Sequence, residues 1–180
     1  VTARGAALAA VALVSVALPS TAGAKPQWNA GVEAGVCSSD SKLGFRRPGF
    51  CGALHGDLLL LRERSTDFGL GPSLRVGTAR FDDIRLDAGL SLLIPSFESF
   101  PLVFEAGPHL RNFHEPGVFG GLFFGFRSLN HHGPYEIASG LGLVAERSFA
   151  SGTPSALWLT ARVDAAWLAM PFILALNALR

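Results

Sequence analysis

FGLGPSLRVGT, residues 68–78, alternates without a break. Phe68, Leu70, Pro72, Leu74 and Val76 take one set of positions, and Gly69, Gly71, Ser73, Arg75 and Gly77 take the other. Successive side chains of a strand point to opposite faces, so a period of two gives one apolar face and one polar or minimal face. A helix would need apolar spacings of three and four, and the repeated glycines would weaken its interior.

The same period extends in both directions. In 84–94, Ile84, Leu86, Ala88, Leu90, Leu92 and Ile94 oppose Arg85, Asp87, Gly89 and Ser91. Segments 28–36, 102–110, 118–127, 135–146 and 157–167 follow the rule, the last setting Leu157, Leu159, Val163 and Trp167 against Thr160, Arg162 and Asp164. Segment 51–62 fits least well, because the leucines at 58–61 interrupt the alternation in the manner of a bulge. Short polar turns such as RERSTD at 62–67 and NHHGP at 130–134 join the segments. The pattern predicts an all-β chain forming a single eight-stranded antiparallel up-and-down β-barrel. It leaves open whether the tail 168–180 extends the last strand.

The polar face carries Glu33, Asp57, Arg75, Arg85, Asp87, Glu105, Arg127, Glu136, Arg162 and Asp164, interspersed with glycine. Acids and bases mixed at mid-strand suit a narrow interior where they pair, and small residues leave room for long side chains. A water-facing surface would more usually carry lysine, which is absent beyond position 42. The expectation is therefore a lumen ion-pair network inside a membrane barrel whose apolar face meets lipid. Eight strands enclose only enough volume for side chains, which excludes a wide pore. A soluble, lipocalin-like lipid-binding barrel in the periplasm is the alternative, and it would have an apolar lumen with its charges in water.

The N-terminal stretch has the three parts of an export signal. Arg4 is basic, Ala7 to Leu18 are apolar, and Ala22-Gly23-Ala24 is a small-residue cleavage site. Residues 1–24 are expected to be a cleaved signal peptide and 25–180 the barrel domain. The apolar run is shorter than the roughly 20 residues of a spanning helix. The formal net charge of +1 and the scattered charges offer no basic stripe for nucleic acid. Two cysteines in an exported chain, Cys37 and Cys51, flank a polar loop-like stretch and are expected to form a disulfide.

Chemistry-bearing motifs are sparse. The chain has no G-x-S-x-G, phosphate loop or H-E-x-x-H, so no catalytic residue, cofactor or metal site is assigned. His131 and His132 share a Gly/Pro turn with no third ligand at a diagnostic spacing. His109 with Glu105, and His55 with Asp57, share strand faces, and Ser73 or Ser91 could serve such a histidine as a nucleophile. A satisfied interior pair is the plainer reading of both.

With this strand pattern the chain resembles the small eight-stranded outer-membrane β-barrel proteins of Gram-negative bacteria. Three segments, GPSLRVGTARFDD at 71–83, EPGVFGGLFFGFRSLNHHGPYE at 115–136 and PFILALNALR at 171–180, are similar to exported proteins of myxobacterial type. The resemblance implies an outer-membrane location, membrane lipid or lipopolysaccharide and the outer-membrane assembly machinery as partners, and a non-enzymatic role that is structural or exerted through outer loops. A lipid- or lipopolysaccharide-modifying enzyme is the alternative within that class. With the N-terminus in the periplasm, loops 37–51, 79–83, 111–117 and 148–155 would lie outside. The turns 62–67, 95–101 and 128–134 would then be short periplasmic ones. Trp28, Phe81, Tyr135 and Trp167 are girdle candidates. Such barrels usually end on an aromatic residue of the last strand, whereas this chain ends Ala178-Leu179-Arg180, leaving Trp167 or Phe172 for that place.

Overall fold

A computed structural model describes residues 24–40, 48–97, 99–130, 133–150, 152 and 154–179. The expected signal peptide, apart from Ala24, lies outside the described residues, as do His131 and His132. Eight strands follow in order: β1 Gln27–Asp40, β2 Gly49–Leu59, β3 Gly69–Ala79, β4 Arg85–Ile94, β5 Leu102–Arg111, β6 Glu115–Arg127, β7 Ala138–Ser148 and β8 Ser155–Asp164. Each pairs antiparallel with the next, and β8 closes on β1 to complete an up-and-down barrel.

The register fixes the width of the barrel. Going around from Asn29 through Asp57, Ser73, Gly89, Gly107, Phe119, Glu146 and Ala156, the ladder meets β1 again at Ser39, ten residues along. That stagger over eight strands tilts them by about 40° to the barrel axis, so a ten-residue strand rises about 25 Å. The resulting interior is tight. A Cβ on Gly125 would lie 2.4 Å from Gly140 Cα on the paired strand, and one on Gly107 would lie 2.5 Å from Gly89 Cα. At these positions glycine is thus required by close backbone approach between neighbouring strands.

Several local expectations change. The leucine run makes no bulge, since β1 and β2 pair continuously from Gln27↔Leu59 to Cys37↔Gly49. Leu59 points inward and is fully buried, Leu60 bridges to Leu70, and the chain then turns at Leu61 with φ 66°. Strand β8 stops at Asp164, where a helix α1, Ala165–Ala178, begins. Asp164 caps it by accepting a 2.6 Å hydrogen bond from Ala166 N, and the Ala/Leu/Met-rich sequence beyond favours helix. Trp167 and Phe172 therefore sit on a helix and not on a final strand. None of the residues of α1 is buried, and no described helix is long and apolar enough to cross a membrane.

The proximal end, where β1 begins, has connections over 60–68, 95–101 and 128–137, which are longer than the distal hairpins at 80–84 and 112–114. The turns expected to be short at the N-terminal side, 62–67, 95–101 and 128–134, thus lie in connections longer than these two hairpins. Both distal hairpins are tight turns, closed by Asp82 N to Ala79 O at 3.1 Å and by His114 N to Arg111 O at 3.2 Å. Each holds two consecutive residues at positive φ, Arg80–Phe81 and Asn112–Phe113.

The cysteine expectation is corrected. Strands β1 and β2 continue through 37–40 and 49–51, so Cys37 and Cys51 lie in the wall as free thiols, both buried. Cys37 is in register with Gly49, and Cys51 with Gly35. As diagonal neighbours on one face, the two thiols come within hydrogen-bonding reach of each other without being joined. The Cys37 thiol also lies 3.7 Å from the carbonyl oxygens of Gly49 and Phe50.

Candidate functional site

Alternation places all but one of the described charged strand side chains inside, where each must find a partner. All ten expected network residues are buried. At the proximal end, Arg127 donates to both Asp57 oxygens at 3.0 and 2.6 Å and to Glu136 Oε2 at 2.6 Å. Arg62 reaches in from the 60–68 turn to Glu136 Oε1 at 2.7 Å. Asp57 lies 3.9 Å from His55 Nε2, which in turn lies 3.0 Å from Glu105 Oε1. Arg162 links Glu105 at 3.3 Å to Glu33 at 2.7 Å, and Arg75 Nε donates to Glu33 at 3.1 Å. At the distal end Arg75 Nη1 donates to Asp87 at 2.7 Å and Glu146 at 3.0 Å, and Arg85 joins Glu146 to Asp83. Arg111 completes the run with a 2.8 Å bond to Asp83.

These contacts form one chain of alternating acid and base along the whole lumen. Three arginines also lie over aromatic faces, Arg75 at 4.1 Å and Arg85 at 5.2 Å over Trp158, and Arg162 over Phe123 at 4.6 Å. Asp164 stands apart, accepting from Asn29 Nδ2 at 2.6 Å and from the Tyr135 hydroxyl. Apolar clusters pack around the charges, Leu59, Leu93, Val103, Phe123 and Ala138 near the proximal end and Trp158 with Phe119, Val144 and both cysteines near the distal end.

Outside the strands, Asp83 and Tyr135 have shifted ionisation. Burial alone would push the Asp83 carboxyl up. Its bonds to Arg85, the Ala79 amide and Arg111 outweigh that and hold it below the usual carboxylate range. Burial, with the hydrogen bond to Asp164, pushes the Tyr135 phenol up to about 12.

Of the two same-face histidine pairs, His55 lies 3.9 Å from Asp57, whereas His109 does not meet Glu105. His109 Nδ1 lies 2.6 Å from Asp87 Oδ1, its register partner on β4, and Glu105 instead meets His55 from across the lumen. Ser73 and Ser91 are buried, and neither hydroxyl has a hydrogen-bond partner, histidine included. Two triads, His55/Asp57/Glu105 and Asp87/His109/Glu146, bring their ligand atoms within 4.8 Å of one another as a metal site would. Each already shares its carboxylates with arginine, so a cation would have to displace guanidinium groups. Sequence reasoning left Arg62, Asp83 and Arg111 out of the network, because turns and strand ends carry no alternation. It left out Glu146 too, although its parity with Gly140 and Gly142 was the available signal.

No family model, no curated protein and no solved structure matches the chain.

The outward face completes the site. From Trp28 to Val36, Phe50 to Leu58, Leu70 to Thr78, Leu86 to Ile94, Leu102 to Leu110, Val118 to Phe126 and Leu157 to Val163, the outward positions carry no ionisable side chain. On β7 the outward series Ser139, Leu141, Leu143, Ala145 ends on Arg147, the one outward charge among the described strand side chains. Large apolar residues are open to the surroundings, Leu54 at 63% and Leu141 at 60% among them. Aromatic rings gather at both ends. Trp28 packs edge-on against Tyr135 at 4.6 Å and Phe100 lies against Phe124 and Phe126 near the proximal end, while Phe50 stacks on Phe81 at 5.6 Å near the distal end.

Proposed function

We infer that the protein is an integral barrel of a Gram-negative outer membrane, serving a structural role or binding at its distal loops rather than performing chemistry in its lumen. The observation that carries this reading is the inversion of polarity. Acids and arginines pair inside while the outward face is apolar over a height of about 25 Å, the apolar band of a membrane barrel. A lipocalin-like barrel requires the reverse, an apolar cavity with its charges in water. Soluble monomers rarely expose apolar patches beyond a few hundred Å², and here the patch encircles the barrel. Aromatic residues at both rims fit the two interfaces. The buried ion-pair chain fills the lumen, which supports a plug of side chains and not a diffusion path. Membrane lipid or lipopolysaccharide is then the surrounding partner, reached through the outer-membrane assembly machinery.

The test is fractionation of an expressing Gram-negative host, followed by gel mobility of detergent extracts with and without boiling. Recovery in the outer membrane with a heat-dependent mobility change is expected. Release with the soluble periplasm, with no mobility change, would overturn the reading.

A further inference from the structure

Every strand arginine that faces inward has a carboxylate within ion-pair distance, as has Arg62 at the lumen mouth. Arg147 is the one described strand arginine that faces outward and has no such partner. It is exposed on the outward face of β7, opposite Val118 of β6, and among the described residues its side chain has no ion pair or hydrogen bond. Just below it on the same face are Ala145 and Leu143, so the guanidinium stands at the distal edge of the apolar band.

The guanidinium also opens onto a cleft of about 520 Å³ lined by Arg147, Ser148, Phe149, Gly152, Pro154 and Ser155. The start of this loop is tied to β6, because Phe149 N and Ser148 Oγ both donate to Pro116 O, at 2.8 and 3.4 Å. That anchoring leaves the Phe149 ring 66% exposed beside the cleft. An exposed guanidinium with no partner of its own is the donor chemistry that recognises phosphate. A free phosphate would have no use for an adjoining aromatic ring or for a position where apolar surface gives way to polar. A lipid phosphate lies at that boundary, with its glycerol and acyl carbons beside Phe149 and Leu143.

We propose that the Arg147 cleft binds the phosphate of a membrane lipid headgroup. This rests on the membrane reading above. In the bound state the guanidinium donates to phosphate oxygens, Ser148 and Ser155 line the cleft around it, and Phe149 covers the apolar part of the lipid.

The test uses the full chain in dodecyl maltoside micelles, a host without phosphate, with insertion established first by heat-dependent gel mobility. Dihexanoyl phosphatidic acid is then titrated and its binding followed by phosphorus NMR. Dihexanoyl glycerol and inorganic phosphate are titrated in parallel. Phosphatidic acid should bind, dihexanoyl glycerol should not, and inorganic phosphate should bind at least tenfold more weakly. Arg147→Gln should weaken phosphatidic acid at least tenfold, Arg147→Lys should retain part of it, and Arg64→Gln, at an exposed proximal arginine, should leave it unchanged. Equal binding by wild type and R147Q, with both inserted, overturns the site. Inorganic phosphate binding as tightly as the lipid also overturns it, leaving a free-anion site. Failure to insert at the first step overturns the membrane reading and, with it, the lipid assignment.

Discussion

An arginine placed on the outward face should be tolerated at the rims and rejected at mid-height. Leu90 points outward from the middle of β4, between Pro72 of β3 and Ala106 of β5, and is 54% exposed. Each residue of a strand tilted by about 40° advances about 2.5 Å along the barrel axis. Leu86 and Ile94, also outward on β4, therefore lie about 10 Å above and below Leu90, near the edges of a band about 25 Å tall. Arginine at the bilayer midplane costs about 2–4 kcal/mol, falling to about 0–1 kcal/mol at the interfaces. Leu90→Arg should thus lose about 2–4 kcal/mol, and Leu86→Arg and Ile94→Arg about 0–1 kcal/mol each. In water the same exposed leucine could become arginine within about 0.5 kcal/mol. Urea titration in phosphatidylcholine vesicles, scored by the mobility difference between folded and unfolded chain, measures all three. A flat profile, with Leu90→Arg no worse than the rim variants, would refute the lipid-facing assignment.

Arg127→Met removes the bidentate partner of Asp57. It should cost about 3–5 kcal/mol in the same titration, and Arg127→Met with Asp57→Leu should recover most of that loss; a double variant as unstable as the single one counts against ion pairing as the reason. Gly125→Ala drives a Cβ to 2.4 Å from Gly140 Cα and should cost about 1–3 kcal/mol. Gly120→Ala, whose Cβ meets nothing within 4 Å, should stay within about 0.5 kcal/mol, so equal losses would show that the inward crowding is not decisive. Tyr135 is the single tyrosine, so its absorbance reports one phenol, with a midpoint expected at about 12. Because the folded value lies above the ordinary 10, the Tyr135–Asp164 bond stabilises fully below that pH and is lost as the pH rises through about 12. Asp164→Asn should bring the midpoint back toward 10, and an unchanged midpoint would assign the shift to burial alone.

The barrel was legible because alternation is a strong signal wherever one face is apolar and the other is not. Segments 68–78 and 84–94 agree with β3 and β4 to within a residue. The ends were less legible. The polar stretch Cys37-Ser38-Ser39-Asp40 reads as loop, yet pairing with β8 from Cys37↔Trp158 to Asp40↔Ser155 holds it in the sheet. That extension is what moves the cysteines from a loop into the wall. Helix α1 was hidden by coincidence, since Val163 and Trp167 continue the apolar parity of β8 across the boundary at Asp164. Parity assigns a side chain to the lumen without naming its partner there. His109 and Glu105 share a face of β5 but pair with Asp87 from the neighbouring strand and His55 from across the barrel.

The inverted polarity bears on what makes the chain fold. The interior clusters are small, and the rest of the lumen is a chain of ion pairs whose desolvation offsets much of their mutual attraction. Such an interior specifies register well, because a one-residue slip of any strand would turn its arginine or carboxylate to the outside and strand its partners. It supplies little of the hydrophobic free energy that ordinarily opposes chain entropy. That free energy has to come from the outward leucines, phenylalanines and valines, and they gain it only when something apolar covers them. The helix α1 repeats the situation, with Trp167, Leu168, Phe172, Ile173 and Leu174 all exposed and no charged residue along its length. On the membrane reading, lipid is the missing half of the core for both elements. The ion-pair chain then acts as a rigid spindle that selects one register for the wall around it.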